Sequence, residues 1–212
     1  MSRLICRFQV LGPVQTNCYY LYREDTKECV IVDPAAEADR IREYVDKQEL
    51  KPVAILLTHG HFDHIMAVDA VRTEYQIPVY AAEAERETLT DPRINLGTQM
   101  GSNQLSVEAD HWLADGEEIE LLGQPVRCLL TPGHTVGGMC YYFPKAAMLF
   151  SGDTLFQESV GRTDFPGGSM SELIRSIREK LFVLPEAVQV FPGHGLTTSI
   201  QNEKMFNPFA VE

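Results

Sequence analysis

The sequence predicts one α/β domain assembled from two halves of similar make-up, and three observations predict it. Short apolar or alternating runs bounded by turn residues alternate with amphipathic stretches. The series of strands and helices is run through twice, and no Gly-, Ser- or Pro-rich linker separates the two passes. At 212 residues, with 44% hydrophobic and 23% charged residues, the chain has the size and composition of a globular protein with one core. The expected domain spans residues 1–212.

Taken in order, LICRFQVL, NCYYLYR and ECVIVD read as half-buried strands. In AEADRIREYVDKQEL, Ile41, Tyr44 and Val45 share one stripe among charges, the pattern of a surface helix with a solvated charged face. Pro52 is followed by VAILL, a continuous apolar strand that runs into THGHFDH. IMAVDAVRTEY then has helical spacing, and IPVYA is a further strand. AAEAERETLT reads as a helix, whereas DPRINLGTQMGSNQLSVEAD has no period. Loops of that length inside a compact domain often cover a site. Strands return in EEIELL, PVRCLL, MCYYF and AAMLFSGD. The amphipathic helix SELIRSIREKLFVL, the last strand AVQVF and a short helix SIQNEKMF complete the chain.

A net charge of −12 and the lack of any Lys/Arg cluster argue against nucleic acid as a partner, although divalent cations in a cleft would still admit a small anion. No apolar run reaches the length of about 18 residues that a membrane span needs. MSRLICRFQVLGPVQ lacks the pattern of a signal peptide, so a cytoplasmic location is expected. Five cysteines (Cys6, Cys18, Cys29, Cys128 and Cys140) form no CxxC pair. They read as reduced thiols, mostly small core residues without a chemical role.

The chemistry lies in the histidines. Three of the six fall in His59-Gly-His61-Phe-Asp63-His64, directly after the VAILL strand, where Gly60 gives the backbone freedom as side chains converge. Imidazole and carboxylate suit divalent first-row metals, and three histidines with an aspartate read as a metal or catalytic cluster. His134 in LLTPGHT, Asp153 in LFSGDT and His194 in VFPGHG also follow apolar strands beside a glycine. Strand ends on one sheet edge are where α/β architectures collect ligands. Only His111, beside Trp112 in an expected loop, falls outside the pattern and reads as a surface or packing residue. Asp33 in IVDP has two readings, a hydrogen-bond acceptor for a ligand imidazole and a turn-initiating residue before Pro34. Thr58 and Thr131 read as loop-shaping.

HxHxDH followed by GH, GD and GH resembles the ligand series of the metallo-β-lactamase superfamily over residues 58 to 195. The resemblance implies an αββα sandwich with its site at one edge and two divalent metal ions, zinc in the first place and iron or manganese as alternatives. It assigns His59, His61 and His134 to one ion, Asp63, His64 and His194 to the other, and Asp153 to both. Asp63 and Asp153 are then the catalytic carboxylates, and water made acidic by the ions is the nucleophile.

Within the superfamily, THGHFDH, GDTLF, VGRTDFPGGS, PGHG and the terminal NPF resemble the short bacterial glyoxalase II-like thioesterases. That implies hydrolysis of S-D-lactoylglutathione to D-lactate and glutathione. Arg162 is the candidate for a glutathione carboxylate, with a brace against Asp164 as its other reading. The C-terminal helical domain of longer glyoxalase II enzymes, which supplies glutathione contacts, is not expected here. GRTDF also resembles the mononuclear-iron persulfide dioxygenases acting on glutathione persulfide, while a lactonase or other small-ester hydrolase would use the same ligands. The intact second ligand set favours hydrolysis. Oligomeric state is not legible in the sequence.

Overall fold

The computed structural model describes residues 3–210. The first half contains β1 (Leu4–Leu11), β2 (Thr16–Arg23), β3 (Glu28–Val32), α1 (Ala38–Lys47), β4 (Lys51–Leu56), α2 (Phe62–Ile65), α3 (Val68–Tyr75), β5 (Val79–Ala82), α4 (Arg86–Thr90) and β6 (His111–Leu113). The second contains β7 (Glu118–Leu121), β8 (Gln124–Leu130), β9 (Met139–Phe143), β10 (Met148–Gly152), β11 (Leu155–Phe156), β12 (Ser159–Val160), α5 (Met170–Ser176), β13 (Gln189–Pro192), β14 (Thr198–Ser199) and α6 (Ile200–Phe206). Each half builds a six-stranded sheet, in the orders β1-β2-β3-β4-β5-β6 and β14-β13-β10-β9-β8-β7. The first sheet is antiparallel from β1 to β3 and parallel from β3 to β6, and the second has one parallel step, β10 beside β13.

Strand side chains alternate between faces, and here both faces are covered, which explains the near-continuous apolar strands. Cys29, Ile31, Ile55 and Leu57 point away from the second sheet and pack with Ile41 and Val45 of α1 and Val68 and Val71 of α3. Val30, Val32, Ala54 and Leu56 point the other way and meet Cys128, Tyr141, Phe143 and Phe150 of the second sheet. On that sheet's outer face, Leu149 and Val190 pack on Leu173, Ile177, Leu181 and Ile200. The layers run helix, sheet, sheet, helix, as in a metallo-β-lactamase fold.

Several boundaries differ from expectation. The helical spacing of IMAVDAVRTEY is met by α3 from Val68 only, and a separate helix, α2, covers Phe62–Ile65 before it, so Asp63 and His64 lie on a helix. AAEAERETLT splits into a 3-10 turn, Glu83–Glu85, and α4. His111 lies not in a loop but at the head of β6, where its ring stacks on Tyr80 at 4.4 Å. The last part of the SELIRSIREKLFVL helix, Ile177–Leu181, is a π-turn that keeps Leu173, Ile177 and Leu181 on the buried face. All five cysteines are free thiols, and four are buried.

Candidate metal centre

The seven sequence-predicted ligands sit just beyond the ends of four strands. β4 leads to His59, His61, Asp63 and His64, β8 to His134, β10 to Asp153, and β13 to His194. The structure brings all seven together. The facing nitrogens of His59 and His61 lie 3.1 Å apart, and those of His61 and His134 2.9 Å. His194 Nε2 stands 3.2 Å from Asp63 Oδ2 and 3.5 Å from Asp153 Oδ2. Asp153 also reaches His64 Nε2 at 3.5 Å and His134 Nε2 at 3.6 Å, so it stands between the two groups of ligands. Ligand atoms of His59, His61 and His134 form one compact cluster, and those of Asp63, His64 and His194 another. Close approach here needs Gly193, where a Cβ would lie 2.2 Å from Asp153 Oδ1 and 2.7 Å from His64 Cε1.

The hydrogen bonds behind the ligands fix which ring nitrogen faces inward. His64 Nδ1 donates to Asp33 Oδ2 at 2.9 Å, and His134 Nδ1 donates to the Arg162 carbonyl at 2.7 Å. Thr58 Oγ1 donates to Asp33 Oδ2 at 2.7 Å, which leaves it to accept from His59 Nδ1 at 3.2 Å. Asp33 Oδ1 accepts the Thr58 N–H at 2.8 Å. Asp33 therefore takes the ligand-orienting reading of its two, through Thr58 for His59 and directly for His64. The turn reading also has a counterpart, since Asp33 holds a left-handed φ of 50°. Thr16 Oγ1, which belongs to no sequence motif, donates to Asp63 Oδ2 at 2.8 Å.

These constraints test whether a cation fits. With Nδ1 of His64 committed to Asp33, its Nε2 points at Asp63 and Asp153, acceptor toward acceptors. His64 Nε2 and Asp153 Oδ1, both turned into the cluster, are buried without a hydrogen-bond partner. Buried acceptors crowded in this way require positive charge among them, and the donor set is that of divalent first-row metals. Protons answer the same demand. Burial alone would lower the His64 pKa, but Asp63, Asp153 and Asp33 overcome it and hold the group at about 9. His194 is raised against its burial to about 11 by Asp153 and Asp63. Burial and neighbouring imidazoles instead push His59 well down and His61 to about 3, leaving both neutral. Burial would raise Asp63, yet His64 and His194 hold it down at about 2.

The cluster floors a cleft of about 490 Å³ whose walls include Val14, Leu96, Phe156, Val160 and Phe165. Arg162 lines it too, but its guanidinium is engaged. It pairs with both oxygens of Asp164 at 2.7 and 2.6 Å and lies 4.0 Å over the Phe165 ring. The bracing contact expected as its second reading is thus present.

Residues 11–194 match the metallo-beta-lactamase superfamily. The chain belongs to it. It is 42% identical to a probable metallo-hydrolase of Bacillus subtilis over 200 residues, 94% of each protein. It is 34% identical to the hydroxyacylglutathione hydrolase GloC of Haemophilus influenzae over 197 residues, 92% of each. Among solved structures, the BLEG-1 B3 metallo-beta-lactamase superposes with a TM-score of 0.93 at 44% identity, covering 98% of this chain and all of that one. A protein solved in a di-iron-bound form, TTHA1623, gives 0.85 at 34% identity over 96% of this chain and 99% of that one. ETHE1 from Myxococcus xanthus gives 0.81 at 30% identity over 97% and 84%. The superfamily binds divalent metals, and no helix among the described residues is long and apolar enough to cross a membrane.

Proposed function

We propose that this metallo-hydrolase is a dinuclear thioesterase of the glyoxalase II type, acting in the cytoplasm on a glutathione-linked thioester such as S-D-lactoylglutathione. The observation that carries the reading is the buried cluster of seven ligating side chains, whose inward acceptors require cationic charge on both sides of Asp153. The substrate class draws on the likeness to GloC, a protein named a hydroxyacylglutathione hydrolase that this chain matches over 92% of its length. His59, His61 and His134 would hold one ion, Asp63, His64 and His194 the other, with Asp153 shared. Zinc is the first expectation, and iron or manganese are compatible with the same ligands. Two such ions supply Lewis acidity and a water molecule acidic enough to attack a thioester at neutral pH.

The chain's own residues do the rest. Asp63, ionised and fixed by Thr16, orients the attacking water. Phe156, Phe165 and Val14 shield the floor of the cleft from bulk solvent. The thiolate released from a thioester is a good leaving group and needs no general acid of its own. Arg162 at the rim offers a carboxylate of glutathione an alternative to Asp164, and the exposed Arg162–Asp164 pair is cheap to exchange.

A metal assay on fresh protein, coupled to a substrate screen, tests the proposal. Expected are about two ions per chain and hydrolysis of glutathione thioesters in preference to lactones, phosphodiesters and β-lactams. Arg162→Ala should raise KM for those thioesters more than it lowers kcat; an unchanged KM would assign the side chain to its loop. One iron per chain with oxygen uptake on glutathione persulfide would overturn the proposal in favour of a dioxygenase. Preferential β-lactam turnover would instead align the chain with the activity in the name of BLEG-1.

A further inference from the structure

Glu85 is a carboxylate that neither the ligand series nor the proposed reaction uses, and it is 1% exposed. It ends the 3-10 turn after β5, at the sheet edge that carries the ligands. Its Oε1 accepts the Gly60 N–H at 2.9 Å and its Oε2 accepts the Gly137 N–H at 2.7 Å. Gly60 lies between His59 and His61, and Gly137 three residues beyond His134. One side chain therefore ties together the two loops that supply the three-histidine cluster.

The glycines give a second, independent sign of the same arrangement. A Cβ on Gly137 would stand 2.3 Å from the backbone nitrogen of Glu85 and 2.6 Å from its Oε2. A Cβ on Gly60 would stand 2.9 Å from the backbone nitrogen of Leu89 in α4. Neither loop could carry a side chain there and keep its contact with the segment that presents Glu85. The other ligand cluster is held by different groups: Thr16 on Asp63, and Asp33 on His64.

From this division we propose that Glu85 is a positioning residue for the three-histidine half of the centre alone. It fixes the His59–His61 loop against the His134 loop, so that their nitrogens converge before an ion arrives. The inference rests on the reading that the seven ligands hold two ions. A carboxylate is suited to the task because it presents two acceptors to two backbone donors. An amide of the same shape accepts with one end and turns a donor toward the other N–H.

The test is a titration of metal-stripped protein with cobalt(II), followed by visible absorption, on the wild type and Glu85→Gln. In the wild type two ions bind in distinguishable steps. In Glu85→Gln the step belonging to the three-histidine cluster should weaken by about 10- to 100-fold, the range for groups that orient metal ligands, while the other step keeps its affinity. Glu85→Asp, which keeps the carboxyl group but shortens the reach, should fall between the two, and it serves if the amide variant does not fold. Unchanged affinity at both steps would overturn the proposal. So would an equal loss at both with a lowered Tm of the stripped protein, which marks a packing role. A wild type that binds no cobalt would instead remove the two-ion reading beneath it.

Discussion

Stripping the ions and titrating metal back at about pH 6, 7 and 8 should separate the two halves of the centre by proton count. Without metal, His64 and His194 have pKa values of about 9 and about 11, so both carry protons across this range. An ion entering beside Asp63 must displace both protons. Each displaced proton makes the apparent Kd fall about tenfold per pH unit, so this step should tighten by at least about 100-fold per unit. His59 and His61 are neutral already and have no proton to release, so the step at the three-histidine cluster should have a clearly shallower slope. Protons released into weakly buffered solution give an independent count. The stability of the stripped protein runs in the opposite sense to its metal affinity. Both folded-state pKa values lie above the ordinary 6.5, so the stability they contribute is fully present below about 6.5. It is lost as the pH rises through about 9 for His64 and about 11 for His194. The Tm gap between loaded and stripped protein should therefore widen with pH. Equal slopes for the two steps, or no proton release at the second, would refute the reasoning.

Two substitutions probe the support of the ligands. Asp33→Asn keeps the shape but must turn its amide donor toward Thr58 or His64, a lost buried bond costing about 1–3 kcal/mol by denaturant melts. Because Asp33 serves His59 through Thr58 as well as His64, calorimetry should find both ions weakened, in contrast to the one-sided effect of Glu85→Gln. Gly193→Ala forces apart Asp153 and His64, and a displacement of about 1 Å at the reacting centre should lower kcat by about 100-fold. Overpacking of this kind costs about 1–3 kcal/mol, so the Tm of its stripped form should also fall by several degrees, and steady-state kinetics with a melt checks both.

The parts legible in the sequence were those with a strong period or a rare residue type. MCYYF is legible as a strand with its observed ends because both of its faces are buried, whereas LICRFQVL and PVRCLL are legible through the turn residues that bound them and keep Arg7, Gln9 and Arg127 on partly exposed faces. The ligand residues stood out because imidazoles are scarce and each follows a strand. Short elements were missed: β6 is three residues and β11, β12 and β14 are two each, too short for alternation to register. Glu85 was invisible for another reason. It sits among Glu83 and Glu87 in a stretch that looks like a solvated helix, and only the close approach of Gly60 and Gly137 sets it apart. The terminal NPF, by contrast, has no period and no charge pattern that marks its role. Asn207 supplies that role, since its side chain is buried and joins Ser159 and Glu203 to the backbone of Phe209 and Ala210.

The centre draws on residues far apart along the chain. His61 and His134 are 73 positions apart, and the Asn17 amide that grips the Pro192 carbonyl reaches across 175. During synthesis the first sheet and its four ligands emerge long before His194 exists, and such non-local contacts form late. A half-made chain can offer an ion only His59, His61, Asp63 and His64, without the residue that stands between the two clusters. On the two-ion reading, full occupancy would require the second sheet to have docked on the first. Loading kinetics would report on that docking step as directly as on the chemistry of the ions.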